Sequence, residues 1–182
     1  MTIIGISGSL RRGSFNTALL HAAAELAPEG CTVEIASIKG IPLYDGDVEE
    51  AEGVPEVVER LKDRVASADG LLLVTPEYNN SIPGVFKNAI DWLSRPPKDI
   101  RRVFGGRPVG LMGATPGSMG TVLSQAAWLP VLRTLGMQPY FGKLLYVSRA
   151  HKLFDESGRL VDEDLRERLR AYLTGFAEFV KG

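Results

Sequence analysis

The chain is short of the side chains that usually do chemistry. Its 182 residues include two histidines and one cysteine. That inventory is too small for a zinc centre built from Cys and His ligands. Cys31 has no second cysteine with which to close an internal disulfide, so a reducing cytoplasm is the expected setting. Excess charge of one sign is missing too: 21 Lys and Arg balance 22 Asp and Glu, for a formal net charge of −1. Nothing in that balance draws the chain to nucleic acid or an anionic membrane, and neither is expected as a partner. No apolar run is long enough to span a bilayer, and Met1-Thr2-Ile3-Ile4-Gly5 lacks the basic flank and apolar stretch of a signal peptide. Repeats, low-complexity tracts and linkers are absent as well, so residues 1–182 are expected to form a single domain.

What the chain does have is alternation. Thr2 to Ile6 is a short apolar run, and Ala18 to Leu26 reads as helix. Cys31 to Ile38 alternates apolar and polar residues, as a strand near a sheet edge would. Val57, Leu61 and Val65 keep helical spacing ahead of Leu71-Leu72-Leu73-Val74, a continuous apolar run suited to a strand buried on both faces. Helix is expected again over Val85 to Leu93 and Val122 to Leu135, and strand over Val109 to Met112 and near Lys143 to Val147. A last helix is expected from about Glu163 to Val180. Strands separated by helices pair in parallel with helices on both faces. The expected fold is α/β, a doubly wound five-stranded parallel sheet of flavodoxin-like type. Such sheets bind ligands beyond the carboxyl ends of their strands.

The loop after the first strand reads Gly8-Ser9-Leu10-Arg11-Arg12-Gly13-Ser14-Phe15-Asn16. Its glycines let the backbone aim several N–H groups at one anion, and the following helix N-terminus adds positive potential. Ser9, Ser14 and Asn16 supply neutral donors and Arg11 a forked, charged one. Ser14 or Asn16 also suits the helix N-cap. Gly8 and Gly13 match the glycine spacing of a P-loop, but Ser14 stands where its lysine belongs. Neither Gly5 nor Gly8 begins a G-x-G-x-x-G dinucleotide fingerprint. A cup for a terminal phosphomonoester remains. After the third strand, Thr75-Pro76-Glu77-Tyr78-Asn79-Asn80-Ser81-Ile82-Pro83-Gly84 sets an aromatic beside polar donors, a platform for a planar heterocycle or a plain Pro-rich turn.

These two loops, followed by Lys87-Asn88-Ala89-Ile90-Asp91-Trp92, closely resemble the NADPH-dependent FMN reductase family, and within it the cytosolic quinone and chromate reductases. The likeness extends to Ile41-Pro42-Leu43-Tyr44-Asp45 and to the C-terminal helix. It implies a phosphate site at Ser9, Arg11, Ser14, Phe15 (through its backbone) and Asn16. It implies an isoalloxazine loop at Pro76, Glu77, Tyr78 and Asn79. Ala114-Thr115-Pro116-Gly117-Ser118 matches the loop that closes over the ring, with Thr115 and Gly117 as contacts. The family's glycine pair and Arg-Ala-Gln run are replaced here by Gly120-Thr121-Val122-Leu123-Ser124-Gln125.

The resemblance implies FMN as cofactor, NADPH or NADH as hydride donor, and quinones or similar small molecules as acceptors in ping-pong alternation. It also implies a homodimer or homotetramer, with the helices bearing Trp92, Leu93, Trp128 and Leu129 packed across subunits. No catalytic side chain and no metal ligand are expected, because the cofactor carries the chemistry. Alternatives are a reductase that releases reduced FMN, a flavodoxin-like electron carrier, and a flavin-dependent regulatory protein. A hydrolase is excluded, since neither Gly5-Ile6-Ser7-Gly8-Ser9 nor Pro116-Gly117-Ser118-Met119-Gly120 completes a G-x-S-x-G elbow. His21 and His151 read as ordinary polar residues, and Cys31 as a small buried hydrophobe. Asp45, Asp47, Glu49 and Glu50 read as a solvated loop. Arg95, Lys98, Arg101 and Arg102 read as a solvated connection, or as the source of an arginine for the NADPH 2′-phosphate.

Overall fold

The computed structural model describes all residues, 1–182. Its elements run in chain order β1 (Thr2–Ser7), α1 (Phe15–Glu25), β2 (Thr32–Ala36), α2 (Gly46–Glu52), α3 (Glu56–Ser67), β3 (Gly70–Val74), α4 (Gly84–Leu93), α5 (Ile100–Val103), β4 (Pro108–Ala114), α6 (Val122–Thr134), β5 (Gln138–Pro139), β6 (Leu145–Val147) and α7 (Glu163–Lys181).

Two-residue periodicity in the central strands explains why helices cover both faces. Ile4 and Ile6 of β1, with Leu71 and Leu73 of β3, join α3, α4 and α6 in one buried cluster. Ile3, Leu72 and Val74 point the other way and join α1 and α7 in a second. Each fully buried Leu or Ile contributes about 1.5–3 kcal/mol relative to exposure. α7 buries Leu165, Leu169, Tyr172, Leu173, Phe176 and Ala177, a stripe at helical spacing, after Asp162 caps its first turn through Leu165 N–H at 2.8 Å.

Strand order is β2-β1-β3-β4-β5, all parallel, which is the flavodoxin-like doubly wound sheet. The expected fifth strand is divided. β5 pairs with the start of β4 and β6 with its end, Met112 to Leu145 through Ala114 to Val147. Between them Tyr140, whose N–H still donates to Val109 O at 2.8 Å, turns its ring onto Tyr172, Phe176 and Phe179 of α7, and residues 141–144 leave the ladder. An aromatic anchor of this kind leaves no trace in local hydrophobic periodicity, so β5 goes unseen in the sequence.

The acidic segment is not a loop. Asp45 caps α2 by accepting Asp47 N–H at 2.9 Å, and the acidic first turn suits the positive helix end. Glu49 on α2 accepts from Tyr44 Oη and from Arg95 Nε, each at 2.8 Å, and these donors hold its carboxyl below the usual range. Arg95 is therefore engaged. Arg102 pairs with Asp63 at 2.8 Å, and α5 leads into the amino end of β4, at the edge of the sheet opposite the ligand loops. Arg95 and Arg102 are thus both held in ion pairs with carboxylates of the same chain.

Candidate active site

Parallel pairing brings Ser7, Val74 and Ala114 to one edge of the sheet, so the three loops that follow β1, β3 and β4 emerge side by side. Gly8 is held against α4: its N–H donates to Val74 O at 2.9 Å, and a Cβ there would run into the Phe86 ring. Only glycine lets the first loop leave the sheet so close to that ring.

Beyond Gly8 the first loop turns its backbone donors outward. The N–H groups of Arg12, Gly13, Ser14, Phe15 and Asn16 have no partner within the protein. Ser14 is the N-cap of α1, its Oγ accepting Thr17 N–H at 3.3 Å, while its hydroxyl hydrogen stays free to donate. Nothing lies within 4 Å of the position a Gly13 Cβ would take. Arg11 is exposed, donates to Gly13 O and lies over the Phe15 ring with Cζ 6.0 Å from the centroid. Ser9 Oγ accepts Arg11 N–H at 3.3 Å. Clustered free amides, a helix N-terminus, a free hydroxyl and one guanidinium suit a terminal phosphate.

The second loop is a tight antiparallel turn. Tyr78 and Ser81 exchange backbone hydrogen bonds at 3.2 and 3.1 Å, and Asn79 and Asn80 take φ of 50° and 61° between them. Positive φ at both central positions defines a type I′ turn, which asparagine tolerates better than other side chains. The turn presents Tyr78 at 50% exposure beside the free amides of Asn79 and Asn80, while Pro76 is buried. Glu77 points elsewhere: its Oε2 accepts the N–H groups of Leu123 and Ser124, in the first turn of α6, at 2.8 and 3.0 Å.

The third loop rests on a turn absent from the sequence expectations. Arg149 N–H donates to Gly117 O at 2.8 Å and Ala150 N–H to Thr115 O at 3.0 Å. Thr115 Oγ1 accepts Gly117 N–H at 3.3 Å. Asn16, although on the first loop's helix, pairs with the end of β4: Nδ2 donates to Ala114 O at 2.8 Å and Oδ1 accepts Ala114 N–H at 2.9 Å. The loops carrying Ser9, Arg11, Ser14 and Phe15, then Pro76, Tyr78 and Asn79, then Thr115 and Gly117 thus leave the same edge of the sheet, whereas the side chains of Asn16 and Glu77 hydrogen-bond within the protein.

Sequence reasoning missed a buried network between the end of β3 and α6. Thr75 Oγ1 meets Ser124 Oγ at 2.8 Å and accepts Trp128 Nε1–H at 3.2 Å, and all three residues have no exposed surface. A threonine between a buried strand and a proline is the one signal that could have marked it. Trp92 and Leu93 are likewise fully buried; Trp92 donates Nε1–H to Pro42 O at 2.9 Å, and Leu129 stays 38% exposed. His21 and His151 are exposed and line one groove of about 760 Å³ beside Arg12, Glu25 and Glu156. Cys31 is half-buried, and that burial pushes its thiol pKa up.

Comparison with known proteins decides the family. The model for NADPH-dependent FMN reductases matches residues 1–152. The chain belongs to that family. An NAD(P)H-dependent FMN reductase of Pseudomonas aeruginosa is 44% identical over 179 residues, covering 98% of this chain and 95% of the relative. A 2-hydroxy-1,4-benzoquinone reductase of a Burkholderia species is 39% identical over 181 residues, covering 100% of this chain and 97% of its own. Among solved structures, the flavoenzyme NAD(P)H:(acceptor) oxidoreductase of Paracoccus denitrificans superposes with a TM-score of 0.88 at 32% identity, covering 99% of this chain and 97% of that one. The replacement of the family's Arg-Ala-Gln run falls on Val122 to Gln125, the turn of α6 that Glu77 caps.

Proposed function

We propose that the protein is an FMN-dependent oxidoreductase that takes hydride from NADPH or NADH and passes electrons to quinones or similar small acceptors. The observation that carries this reading is the cluster of unpartnered amides from Arg12 to Asn16 beside Arg11 and Ser14, facing the same edge as Tyr78 and Thr115. Ser9, Arg11, Ser14 and the Phe15 amide would hold the phosphate, while Pro76, Tyr78, Asn79, Thr115 and Gly117 would border the ring. FMN, when bound, supplies the hydride-accepting and electron-donating chemistry. The chain's share is orientation and charge. The free amides of the third loop can stabilise negative charge that develops on a ligand there. Near-neutral net charge argues against an acidic carrier that docks by charge.

The expected result is a yellow chromophore after FMN is supplied, bleaching by NADPH without oxygen, and recovery when a quinone is added. A protein that stays colourless overturns the reading; bound FMN that neither NADPH nor NADH bleaches restricts it to a carrier. Gel filtration after turnover shows whether the flavin stays bound.

Residues 1–182 act as one FMN-binding domain in this reading, and the unpaired Cys31 supports a cytoplasmic setting. A homodimer or homotetramer is supported by Val85, Leu123 and Leu129, apolar side chains on α4 and α6 with 38%, 43% and 38% of their surface exposed. Light scattering should give at least twice the 19.8 kDa chain mass, and a monomer at working concentration removes this part of the proposal.

A further inference from the structure

The family pattern offers Asn16 and Glu77 as cofactor contacts, but both side chains grip the third loop. The loop between β4 and α6 is held at its start by Asn16, which pairs with both backbone groups of Ala114 at 2.8 and 2.9 Å. It is held at its end by Glu77, which accepts the Leu123 and Ser124 amides at 2.8 and 3.0 Å. The two grips come from different loops, one following β1 and the other following β3.

α6 has no cap of its own. Thr121, at the N-cap position, makes no capping hydrogen bond, and its Oγ1 instead accepts Gln125 Nε2–H at 3.0 Å. The first turn carries no acidic residue. Glu77 therefore does from across the cleft what a local Ser or Asp would ordinarily do, with a charge that also suits the helix end. Between the two grips, the N–H groups of Ser118, Met119 and Gly120 have no partner in the protein and are the donors left for a ligand.

We infer that Asn16 and Glu77 are positioning residues, which act on the flavin through the segment 115–121 rather than by touching it with their side chains. They fix how far the third loop stands from the other two, and so the width of the cleft. The inference rests on the proposed function only in naming flavin as the ligand; the clamp itself belongs to the protein without ligand.

The test uses the full chain with and without flavin. In the flavin-free protein, Glu77→Ala should speed amide hydrogen exchange about tenfold or more at Leu123 and Ser124 and loosen residues 117–121. Glu77→Gln keeps an acceptor oxygen and should lie closer to the parent protein. Asn16→Ser should weaken riboflavin and FMN by the same factor, about three- to tenfold, because the clamp does not sense the phosphate. Unchanged exchange in Glu77→Ala overturns the inference, as does an Asn16→Ser loss confined to FMN, which would mark a direct phosphate contact. If the parent protein binds no flavin, the proposed function fails while the exchange arm still decides the clamp. Should either truncation fail to fold, Glu77→Gln reads the same amides at smaller amplitude.

Discussion

Replacing Asp99 with alanine should lower the unfolding free energy by about 3–5 kcal/mol, whereas Lys62→Met should change it by no more than about 1 kcal/mol. Lys62 on α3 has no exposed side-chain surface, yet it carries an ammonium group. Its Nζ lies 2.6 Å from Asp99 Oδ2 and 2.9 Å from Glu59 Oε1. Asp99 is 22% exposed and Glu59 42% exposed, so the two carboxylates keep part of their hydration while the cation has none. Removing Asp99 leaves a buried charge with one loosely held partner, which is the costly case. Removing the charge of Lys62 with a methionine of similar length leaves Asp99 near Arg102 at 3.5 Å and Glu59 in water, which is the cheap one. Urea midpoints at unchanged m-value would measure both. Equal costs for the two variants would show that the pair is valued for packing rather than charge.

The same pair sets a pH dependence. The neighbouring Lys62 ammonium, first through its hydrogen bond, holds the Asp99 carboxyl below its ordinary 3.8. A carboxyl lowered on folding binds fewer protons in the native state, so its stabilisation is complete above the unfolded value. It fades as pH falls from about 3.8 through the lowered native value. The gap between the parent protein and Asp99→Ala should therefore close in acid below that window. A gap that persists there would point to lost packing instead.

Lys62 also shows where sequence patterning stops. The helix at Val57, Leu61 and Val65 is legible because its apolar spacing reports one face, but Lys62 sits beside Leu61 as if it belonged outside. It is buried because Asp99, 37 residues on, comes back to meet it. Local patterns give β1 to β4 and the helices α1, α3, α4, α6 and α7, since runs such as Leu71 to Val74 suit burial, and give the first and second loops, since glycine, serine and arginine cluster there. They do not give the division of the last strand, which depends on Tyr140 reaching α7. Nor do they give the protein partners of Asn16 and Glu77: a motif records which residue types recur, not that their side chains also hydrogen-bond to Ala114 and to the first turn of α6. The acidic residues from Asp45 to Glu50 mislead for a related reason: charge suggests solvent, whereas Tyr44 and Arg95 make a fixed site of Glu49.

Arg11→Met should weaken FMN binding by about 10- to 100-fold, the factor expected for losing a hydrogen bond from a charged donor at about 1.5–3 kcal/mol. Riboflavin, which lacks the phosphate, should bind the variant as it binds the parent protein. Arg11 is suited to this comparison because it is exposed and its one side-chain hydrogen bond is to Gly13 O, so its loss should leave the core intact. The loop amides from Arg12 to Asn16 would remain, which is why affinity should fall rather than vanish. Arg11→Lys keeps the charge but not the guanidinium fork and should fall between the two. Raising salt should narrow the difference between parent and Arg11→Met, because the charge lies at the surface where ions screen it. Flavin fluorescence titrations of FMN and riboflavin against the three proteins would read all of this. A loss shared equally by FMN and riboflavin would move Arg11 out of the phosphate site and into the clamp with Asn16, leaving the free amides of the first loop to hold the phosphate alone.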